Sequence, residues 1–202
     1  MNQEERMLAG LPYRPDQDGL PSQRIEAKRR AHAFNSCPPE AQAQANALLR
    51  NLIGTAGENL RIEAPFRCRY GKHIDIGSNF YADVNLCIMD DAHVQIGDNV
   101  RFGANVALYT GGYPLHPISR YSGYEYAVGI NIGSNVWLGG NTIVLPGVCV
   151  GNNVVVEPGS VVTEDLPDNV LAGGNPCKVI REITDDDRTY YFKTYQFDVT
   201  DY

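Results

Sequence analysis

The sequence predicts an all-β solenoid, a parallel β-helix with N-terminal capping helices and a C-terminal extension. One supporting observation is a ladder of aliphatic residues at strict six-residue spacing: Ile132, Leu138, Val144, Val150, Val156 and Val162. The other is the return of Gly and Asn between them, as in IGDN, IGSN and VGNN. A period of six suits a chain that makes a short strand, turns and repeats, with one aliphatic side chain per rung in a narrow core.

Two helices are predicted over residues 20–54, before the repeats. Pro21 and Ser22 open the segment PSQRIEAKRRAHAF, CPPE interrupts it, and EAQAQANALLRNLIG ends in a glycine. The Leu, Ile and Phe positions are spaced for one buried face. Because the ends of a solenoid must be covered, we expect residues 1–57 to form a helical cap and not a catalytic unit.

The repeats are predicted to span residues 58–181. Ile96, Phe102 and Leu108 continue the six-residue spacing upstream of the main ladder. An extruded loop at 109–129 interrupts the rhythm with several tyrosines, a histidine and a glutamate. Long aperiodic loops in compact domains are usually functional or disordered, so we expect the functional site here. Residues 182–202 alternate aromatic and polar side chains, which predicts an extension packed on the domain or on a neighbouring subunit.

Composition excludes several classes of function. A formal net charge of -7 argues against general binding to nucleic acid or to an anionic membrane. We expect no signal peptide, because the N-terminus MNQEERMLAG is acidic and has no apolar segment, and no membrane span, because no apolar run of 18 residues occurs. Five scattered cysteines without a CxxC pair suggest reduced thiols, no metal site and a cytoplasmic protein.

Longer motifs carry a resemblance to a known family. These are NFYADVN at 79–85, IMDDAHVQIGDNV, TGGYPLHP, SGYEY and the stretch from IGSNVWLGG to NPCKVIREI. With them the chain resembles the hexapeptide-repeat sugar O-acetyltransferases, the group of galactoside, maltose and nodulation acetyltransferases. The resemblance runs from ERMLAG to the YYFK tail. It implies a left-handed β-helix, an exception to the right-handed crossover rule, and a homotrimer with active sites between subunits.

The resemblance also implies a chemistry. Acetyl-CoA, as co-substrate, lies along the helix, and its acetyl group passes directly to a hydroxyl of a small-molecule acceptor, in this family a sugar. A loop histidine acts as general base, because an alcohol attacks a thioester well only if its proton leaves as the bond forms. Charge on the thioester oxygen needs a hydrogen-bond donor, and a backbone amide near Gly139 or Gly140 is the candidate.

The loop departs from the family at the base itself. The family pattern is T-x-x-His-Pro followed by an aliphatic residue, and this chain has Tyr113 in place of the histidine. Tyrosine, with a reference pKa of roughly 10, is protonated at neutral pH and is a poor base, although it can donate a hydrogen bond. His116 lies three residues on and is a possible substitute, and Glu125 matches the carboxylate that orients the family's histidine. The catalytic candidates are therefore Tyr113, His116 and Glu125.

The resemblance assigns two further groups of residues. The residues that it assigns to acceptor binding are Tyr81, Asp91 and Asp83, the last in place of the family's Asn. Asp16 or Asp18 is a candidate for an acceptor-binding Asp near the N-terminus, without a clear match to the family pattern. For the coenzyme A wall and its basic end they are Trp137, Gly139, Gly140, Pro158, Thr163, Lys178 and Arg181. The two cations could hold phosphate by charge-assisted hydrogen bonds, although Glu164 stands where the family has another lysine.

Three functions remain to be compared. The first is an O-acetyltransferase that works by direct transfer in a ternary complex, and the alternative is a catalytically impaired trimeric module that binds a sugar or CoA, favoured by Asp83 and Glu164. A zinc carbonic anhydrase on this solenoid would need a close histidine pair, which the spacing of His73, His93 and His116 disfavours.

The remaining cysteines and histidines are given structural roles. No acyl-enzyme is assigned, because Cys87, Cys149 and Cys177 are expected to be small buried hydrophobes in or beside the rungs. His32 and the pair His73 and His93 are expected at the surface or in packing.

Overall fold

The computed structural model, which describes residues 1–199 and 201, contains a parallel β-solenoid. Equivalent strands of successive coils pair in parallel and form three sheets along its axis. The predicted solenoid is therefore found, and its repeating unit is a coil of three short strands.

The strands of each sheet follow in order along the solenoid. The first sheet contains β1 (Thr55–Ala56), β4 (Ile74–Ile76), β7 (Val94–Ile96), β12 (Ile130–Ile132) and β15 (Cys149–Val150). The second contains β2 (Arg61–Ile62), β5 (Tyr81–Ala82), β8 (Arg101–Phe102), β13 (Trp137–Leu138), β16 (Val155–Val156), β18 (Val170–Gly173) and the antiparallel β19 (Lys178–Glu182). The third contains β3 (Arg67–Cys68), β6 (Cys87–Met89), β9 (Ala107–Tyr109), β14 (Ile143–Val144) and β17 (Val161–Val162).

The core is the column of aliphatic side chains at the axis. All nine residues of the six-residue spacing are buried, each with no more than 5% of its surface exposed. Phe80 and Phe102 from adjacent coils pack edge to face, with ring centroids 5.2 Å apart. Each buried aliphatic side chain contributes roughly 1.5–3 kcal/mol, so the stabilisation is spread evenly along the axis.

Asparagines make the corners between strands. Residues with left-handed backbone include Asn99 (φ 57°), Asn135 (φ 57°) and Asn153 (φ 56°). Their side chains form a ladder, with Asn99 Nδ2 donating to Asn135 Oδ1 at 3.1 Å and Asn135 Nδ2 donating to Asn153 Oδ1 at 2.9 Å. The predicted use of Asn in costly turn conformations is confirmed.

Helices cover the beginning of the solenoid. They are α1 (Gln3–Leu8), α2 (Leu20–Asn35) and α3 (Gln42–Leu52). The buried face of α2 consists of Leu20, Ala27, Ala31 and Phe34. The prediction that Ile25 belongs to the buried face is wrong. Its side chain is 52% exposed because it points away from this face. Strand β1 already pairs with β4, so the solenoid begins before residue 58.

The C-terminal extension is a 3₁₀ turn, Asp185–Arg188, followed by a hairpin. The hairpin strands are β20 (Tyr190–Phe192) and β21 (Tyr195–Gln196). Its aromatic side chains stack on one another but stay largely exposed, as for Tyr191 (59%) and Tyr195 (58%). The end of the tail, at Thr200 and Tyr202, lies outside the described residues.

The cysteines differ from the prediction at one position. Cys177 is buried and Cys87 is half-buried, but Cys149 is exposed. Neighbouring residues of a strand point to opposite faces, and in β15 it is Val150 that enters the core. The expectation of a buried Cys149 is therefore wrong. No helix in the described part of the chain is long and apolar enough to cross a membrane.

Candidate active site

The extruded loop leaves the solenoid where predicted, between β9 and β12. Its neck is a two-residue antiparallel ladder, β10 (Gly111–Gly112) against β11 (Tyr126–Ala127). A Cβ on Gly111 would lie 2.8 Å from Asp91 Oδ2, so glycine is needed for the neck to approach the solenoid. A short helix, α4 (Pro117–Arg120), forms the outer part of the loop.

The two candidates for the base lie at the loop surface. Tyr113 is 57% exposed, and His116 is exposed at the residue before α4. Neither side chain forms a hydrogen bond or ion pair with any residue that the structure describes. The structure therefore places both on the predicted loop but does not hold either in a fixed orientation.

Glu125 is held by the N-terminal segment and not by Tyr113 or His116. Its Oε2 accepts a hydrogen bond from the Tyr13 hydroxyl at 3.2 Å. The backbones of the two residues also pair, through N–H···O bonds of 3.1 Å and 3.0 Å. The predicted role of Glu125 in orienting a loop base is therefore not seen in one chain, and its contact is with Tyr13.

The same tyrosine joins Glu125 to Asp91. The Tyr13 hydroxyl lies 3.2 Å from Asp91 Oδ1, and Arg69 Nε lies 3.3 Å from the Asp91 carboxylate on another side. Burial, and then the two carboxylates, raise the pKa of Tyr13 well above its ordinary value, so the phenol stays protonated. The carboxylates raise the pKa of Arg69 despite the opposing effect of burial. The cluster thus contains one phenol, one guanidinium and two carboxylates.

Tyr13 and Arg69 are the site residues that sequence reasoning missed. Tyr13 is fully buried, and the Arg69 side chain is 34% exposed. Both lie in stretches without periodicity, and the contact between Tyr13 and Glu125 spans 112 residues. Only the fold brings them together.

The predicted acceptor residues fall into separate places within one chain. Asp91 follows β6 of the third sheet and is buried. Tyr81 lies in β5 of the second sheet, and the Arg61 guanidinium is 5.8 Å from its ring centroid. Asp83 Oδ1 accepts a hydrogen bond from the backbone N–H of Val84 at 2.7 Å. Asp16 is exposed in the turn before α2, without a hydrogen bond to any described residue. One chain therefore does not assemble these four into a single pocket.

The second sheet and the corner that follows it carry the predicted coenzyme A wall. Trp137 is 53% exposed in β13, and it lines a cleft of about 640 Å³ together with Arg181 and the C-terminal hairpin. Gly139 stacks so closely on Pro158 that a Cβ would lie 2.5 Å from the Pro158 nitrogen. Successive coils therefore stack too closely at this corner for a side chain at position 139, two residues after the exposed indole.

The two glycines of this corner differ in their amides. The Gly139 N–H donates to the Val156 carbonyl at 2.8 Å, within the solenoid ladder. The Gly140 N–H has no such partner in the part of the chain that the structure describes. Of the two amides considered as donors to a thioester oxygen, Gly140 is the one left free.

The predicted phosphate-binding cations are paired with carboxylates. Lys178 Nζ lies 2.7 Å from Glu164 Oε2, beside the exposed Thr163. Arg181 forms two hydrogen bonds with Asp187, of 2.8 Å and 2.7 Å. These bonds, with the N–H of Thr184, hold the pKa of Asp187 at about 2. A phosphate would have to compete with these ion pairs.

The histidines do not assemble a metal centre. The rings of His73 and His93 lie 5.6 Å apart, a closeness that their spacing in sequence did not reveal. Nevertheless, no group of three His, Cys, Asp or Glu side chains suited to a metal exists among residues 1–199 and 201. His73 is buried and His93 is exposed, as expected of packing and surface residues.

Comparison with known proteins gives a consistent result along the chain. Residues 6–57 match a family model described as the maltose acetyltransferase hexapeptide capping motif. Residues 129–164 match the bacterial transferase hexapeptide model, and residues 93–112 match a hexapeptide repeat of succinyl-transferase.

Similar proteins cover nearly the whole chain. A galactoside O-acetyltransferase of Escherichia coli (strain K12) is 44% identical over 97% of both chains. A structure of a galactoside acetyltransferase in complex with coenzyme A is 42% identical, with a TM-score of 0.94 over 98% of this chain and 100% of its own. A maltose O-acetyltransferase from Clostridium difficile 630 is 39% identical, with a TM-score of 0.90 over 92% of this chain and 99% of its own.

The capped β-helix of six-residue repeats and the matching family models place the chain in the hexapeptide class of transferases. Within that class, the chain belongs to the hexapeptide-repeat family of maltose and galactoside O-acetyltransferases. The predictions of family and of a left-handed β-helix are confirmed. The same relatives support the predicted O-acetyltransferase activity.

Proposed function

We propose that this protein is an acetyl-CoA-dependent O-acetyltransferase that transfers acetyl directly to a hydroxyl of a carbohydrate or related small molecule. The observation that carries the proposal is the close match, along the whole chain, to a galactoside acetyltransferase structure that contains coenzyme A. The transfer takes place in a ternary complex and needs no metal. We place the enzyme in the cytoplasm.

The corner beside Trp137 suits the thioester substrate. Gly139 has no side chain and stacks closely on Pro158, and the exposed indole of Trp137 offers an apolar wall. The free Gly140 N–H is the group assigned to the developing charge on the thioester oxygen. Lys178 and Arg181 are the groups assigned to the phosphates, once Glu164 and Asp187 have released them.

Removal of the proton from the acceptor hydroxyl is the step that limits the turnover of this enzyme. In the transfer, the acceptor oxygen forms a bond to the acetyl carbon, the carbon–sulfur bond breaks, and the hydroxyl proton must pass to a base. Tyr113 occupies the base position, and a phenol is a poor proton acceptor at neutral pH. An imidazole is the usual general base in proteins, but His116 lies on the far side of Pro114 from Tyr113. We therefore expect slow turnover.

A homotrimer with sites between subunits fits the distribution of acceptor residues. Tyr81 lies in the second sheet and Asp83 directly follows its strand, whereas Asp91 follows a strand of the third sheet and Glu125 lies on the extruded loop. Two chains side by side supply the two halves that one chain keeps apart. Hydroxyl-rich acceptors suit such a site, since they offer many hydrogen-bonding groups to carboxylates and tyrosines.

A binding module without turnover is the second candidate. It is favoured by the same three positions that depart from the family, Tyr113, Asp83 and Glu164, and above all by the ion pair that occupies Lys178. In this case the protein binds CoA or a sugar and releases it unchanged.

The experiment that separates the two follows thiol release from acetyl-CoA over a panel of galactosides, maltose and glucosides. The parent chain is compared with Tyr113→His and His116→Ala at equal concentration. We expect Tyr113→His to raise turnover by about 100-fold or more, the range of general-base catalysis. Loss of the residual parental activity in His116→Ala would identify His116 as the substitute base.

If the parent and Tyr113→His are both inert while calorimetry shows that coenzyme A binds, the acetyltransferase proposal is wrong. The protein is then a binding module, and the carbohydrate panel becomes a search for ligands.

A further inference from the structure

We propose that Tyr13 is a positioning residue that fastens the extruded loop to the solenoid and so sets where the loop residues meet the acceptor. Only the kinetic part of this inference rests on the function proposed above. Tyr13 touches no reacting atom, and it acts through Glu125 on the loop and Asp91 on the solenoid.

The contacts of Tyr13 reach three parts of the fold. Its side chain is fully buried in a small cluster with Met7, Leu20, Tyr70 and Ala127. Its backbone pairs with that of Glu125 through two hydrogen bonds, and its hydroxyl lies 3.2 Å from both Glu125 Oε2 and Asp91 Oδ1. The N-terminal segment, the loop and the third sheet therefore meet at a single phenol.

The charges of the cluster explain why a hydroxyl is needed there. Asp91 and Glu125 are two carboxylates that approach the same oxygen. Among the residues that the structure describes, Arg69 pairs with Asp91, and no cation pairs with Glu125. The phenol carries a single proton, so at any moment it donates to one carboxylate while it remains beside the other. Without the hydroxyl, Glu125 loses its side-chain donor in the described chain, and Asp91 keeps only Arg69. The repulsion between the two carboxylates is then less well compensated.

The loop depends on this contact because its neck is short. The ladder between β10 and β11 joins only two pairs of residues. Beyond it, Tyr113 and His116 are exposed and form no hydrogen bonds with described residues through their side chains. The Glu125 end of the loop is thus fixed by Tyr13, and the position of the base candidates depends on that end.

The test compares Tyr13→Phe with Tyr70→Phe. Both tyrosines are buried in the same cluster, and each variant removes one hydroxyl with a hydrogen-bond partner. The partner of Tyr70 is Arg24 of α2, 3.0 Å away, so this control does not touch the loop. Thermal melting of both variants measures the general loss of stability.

The first readout is independent of activity. Arg120 lies in α4 at the exposed part of the loop and offers a trypsin site. We expect Tyr13→Phe to speed cleavage after Arg120 by at least about fivefold relative to cleavage after the exposed Arg188 of the C-terminal 3₁₀ turn, because the loop opens locally. In Tyr70→Phe the ratio of the two cleavages stays at the parental value.

The second readout is kinetic, measured in the parent chain and in the Tyr113→His background. We expect Tyr13→Phe to lower kcat and raise the acceptor KM, with a combined loss of about tenfold or more, since misplacement by ~1 Å can cost about 100-fold. The KM for acetyl-CoA stays within about twofold, because none of the contacts described for Tyr13 involves a residue assigned to coenzyme A.

The outcomes are distinguishable. The positioning role is supported if Tyr13→Phe alone speeds cleavage of the loop and raises the KM for the acceptor without raising the KM for acetyl-CoA. If the two tyrosine variants change cleavage and kinetics alike, Tyr13 is only a core residue and the inference is overturned. If cleavage separates the variants but none of them turns over, the loop anchor stands and the proposed acetyl transfer fails.

Discussion

At the scale of single residues, Asp90 and Asp91 are adjacent carboxylates with different partners. Asp91 is bonded to Tyr13 and Arg69. Asp90 accepts hydrogen bonds from the backbone N–H groups of Arg69 and Tyr70, each at 2.9 Å, and its backbone carbonyl lies 2.8 Å from His73 Nδ1. Burial nevertheless raises the pKa of Asp90 to about 7, against the lowering effect of these backbone hydrogen bonds.

This raised pKa predicts a stability that falls with pH. Between pH 3.8, the ordinary value, and about 7, the folded protein binds a proton at Asp90 that the unfolded chain has released. The free energy of unfolding therefore decreases as pH rises through this window. Burial lowers the pKa of the neighbouring His73, so the contribution of His73 to the free energy of unfolding increases with pH. The pH dependence of the parent protein therefore combines two opposing effects.

Asp90→Asn isolates the carboxylate, because asparagine keeps an acceptor oxygen but does not titrate. We expect the melting temperature of Asp90→Asn minus that of the parent to increase steadily from about pH 4 to about pH 7 and then to level off. Differential scanning calorimetry over this range gives the two curves. Parallel curves would mean that Asp90 carries no raised pKa.

At the scale of elements, the corner ladder shows how the repeat is built. Asn135 has φ 57°, and its side chain bonds to Asn99 below and Asn153 above. A non-glycine residue in this left-handed region costs roughly 1–2 kcal/mol unless a local hydrogen bond compensates. The side-chain ladder offers such compensation, one coil after another.

Two substitutions separate conformation from hydrogen bonding at this corner. We expect Asn135→Ala to lower the free energy of unfolding by about 1–2 kcal/mol, since alanine keeps the strained φ without the ladder bonds. Asn135→Gly also loses the bonds but adopts the φ freely, and it should be destabilised less. Urea unfolding of the three proteins measures the difference, and equal losses in Ala and Gly would exclude backbone strain as the cause.

At the scale of the whole molecule, the outward faces of the sheets differ in polarity. The outward side chains of the first sheet are polar, such as Thr55, Asp75 and Gln95. Those of the third sheet include Ala107, Ile143 and Val161, which form an apolar ladder. Apolar surface of this kind is suited to contact between subunits.

The proposed trimer can be tested on these two faces. We expect light scattering to give three times the 22.3 kDa of one chain. Ile143→Asp, which puts a charge on the apolar ladder, should shift the mass towards that of one chain, and Gln95→Glu on the polar sheet should not. A parental mass of one chain would contradict both the trimer and the site between subunits.

The solenoid and its family were predictable from the sequence because each repeat is a local unit. The six-residue spacing places one side chain per rung in the core, and Asn or Gly is required at the corner of the same rung, so the pattern is readable over a few residues. The loop was found in the same way, as the place where the pattern stops.

The connections of the site were decided by the tertiary structure alone. Tyr13 meets Asp91 across 78 residues and Glu125 across 112, and no periodicity links these positions. The pairing of Lys178 with Glu164 is likewise a matter of which side chains the fold places within reach. The order of the amino acids is enough to predict a repeating core, because hydrophobic burial follows local spacing. Only the folded chain decided which carboxylates share a proton donor, because that depends on distances that residues acquire when distant coils and segments come together.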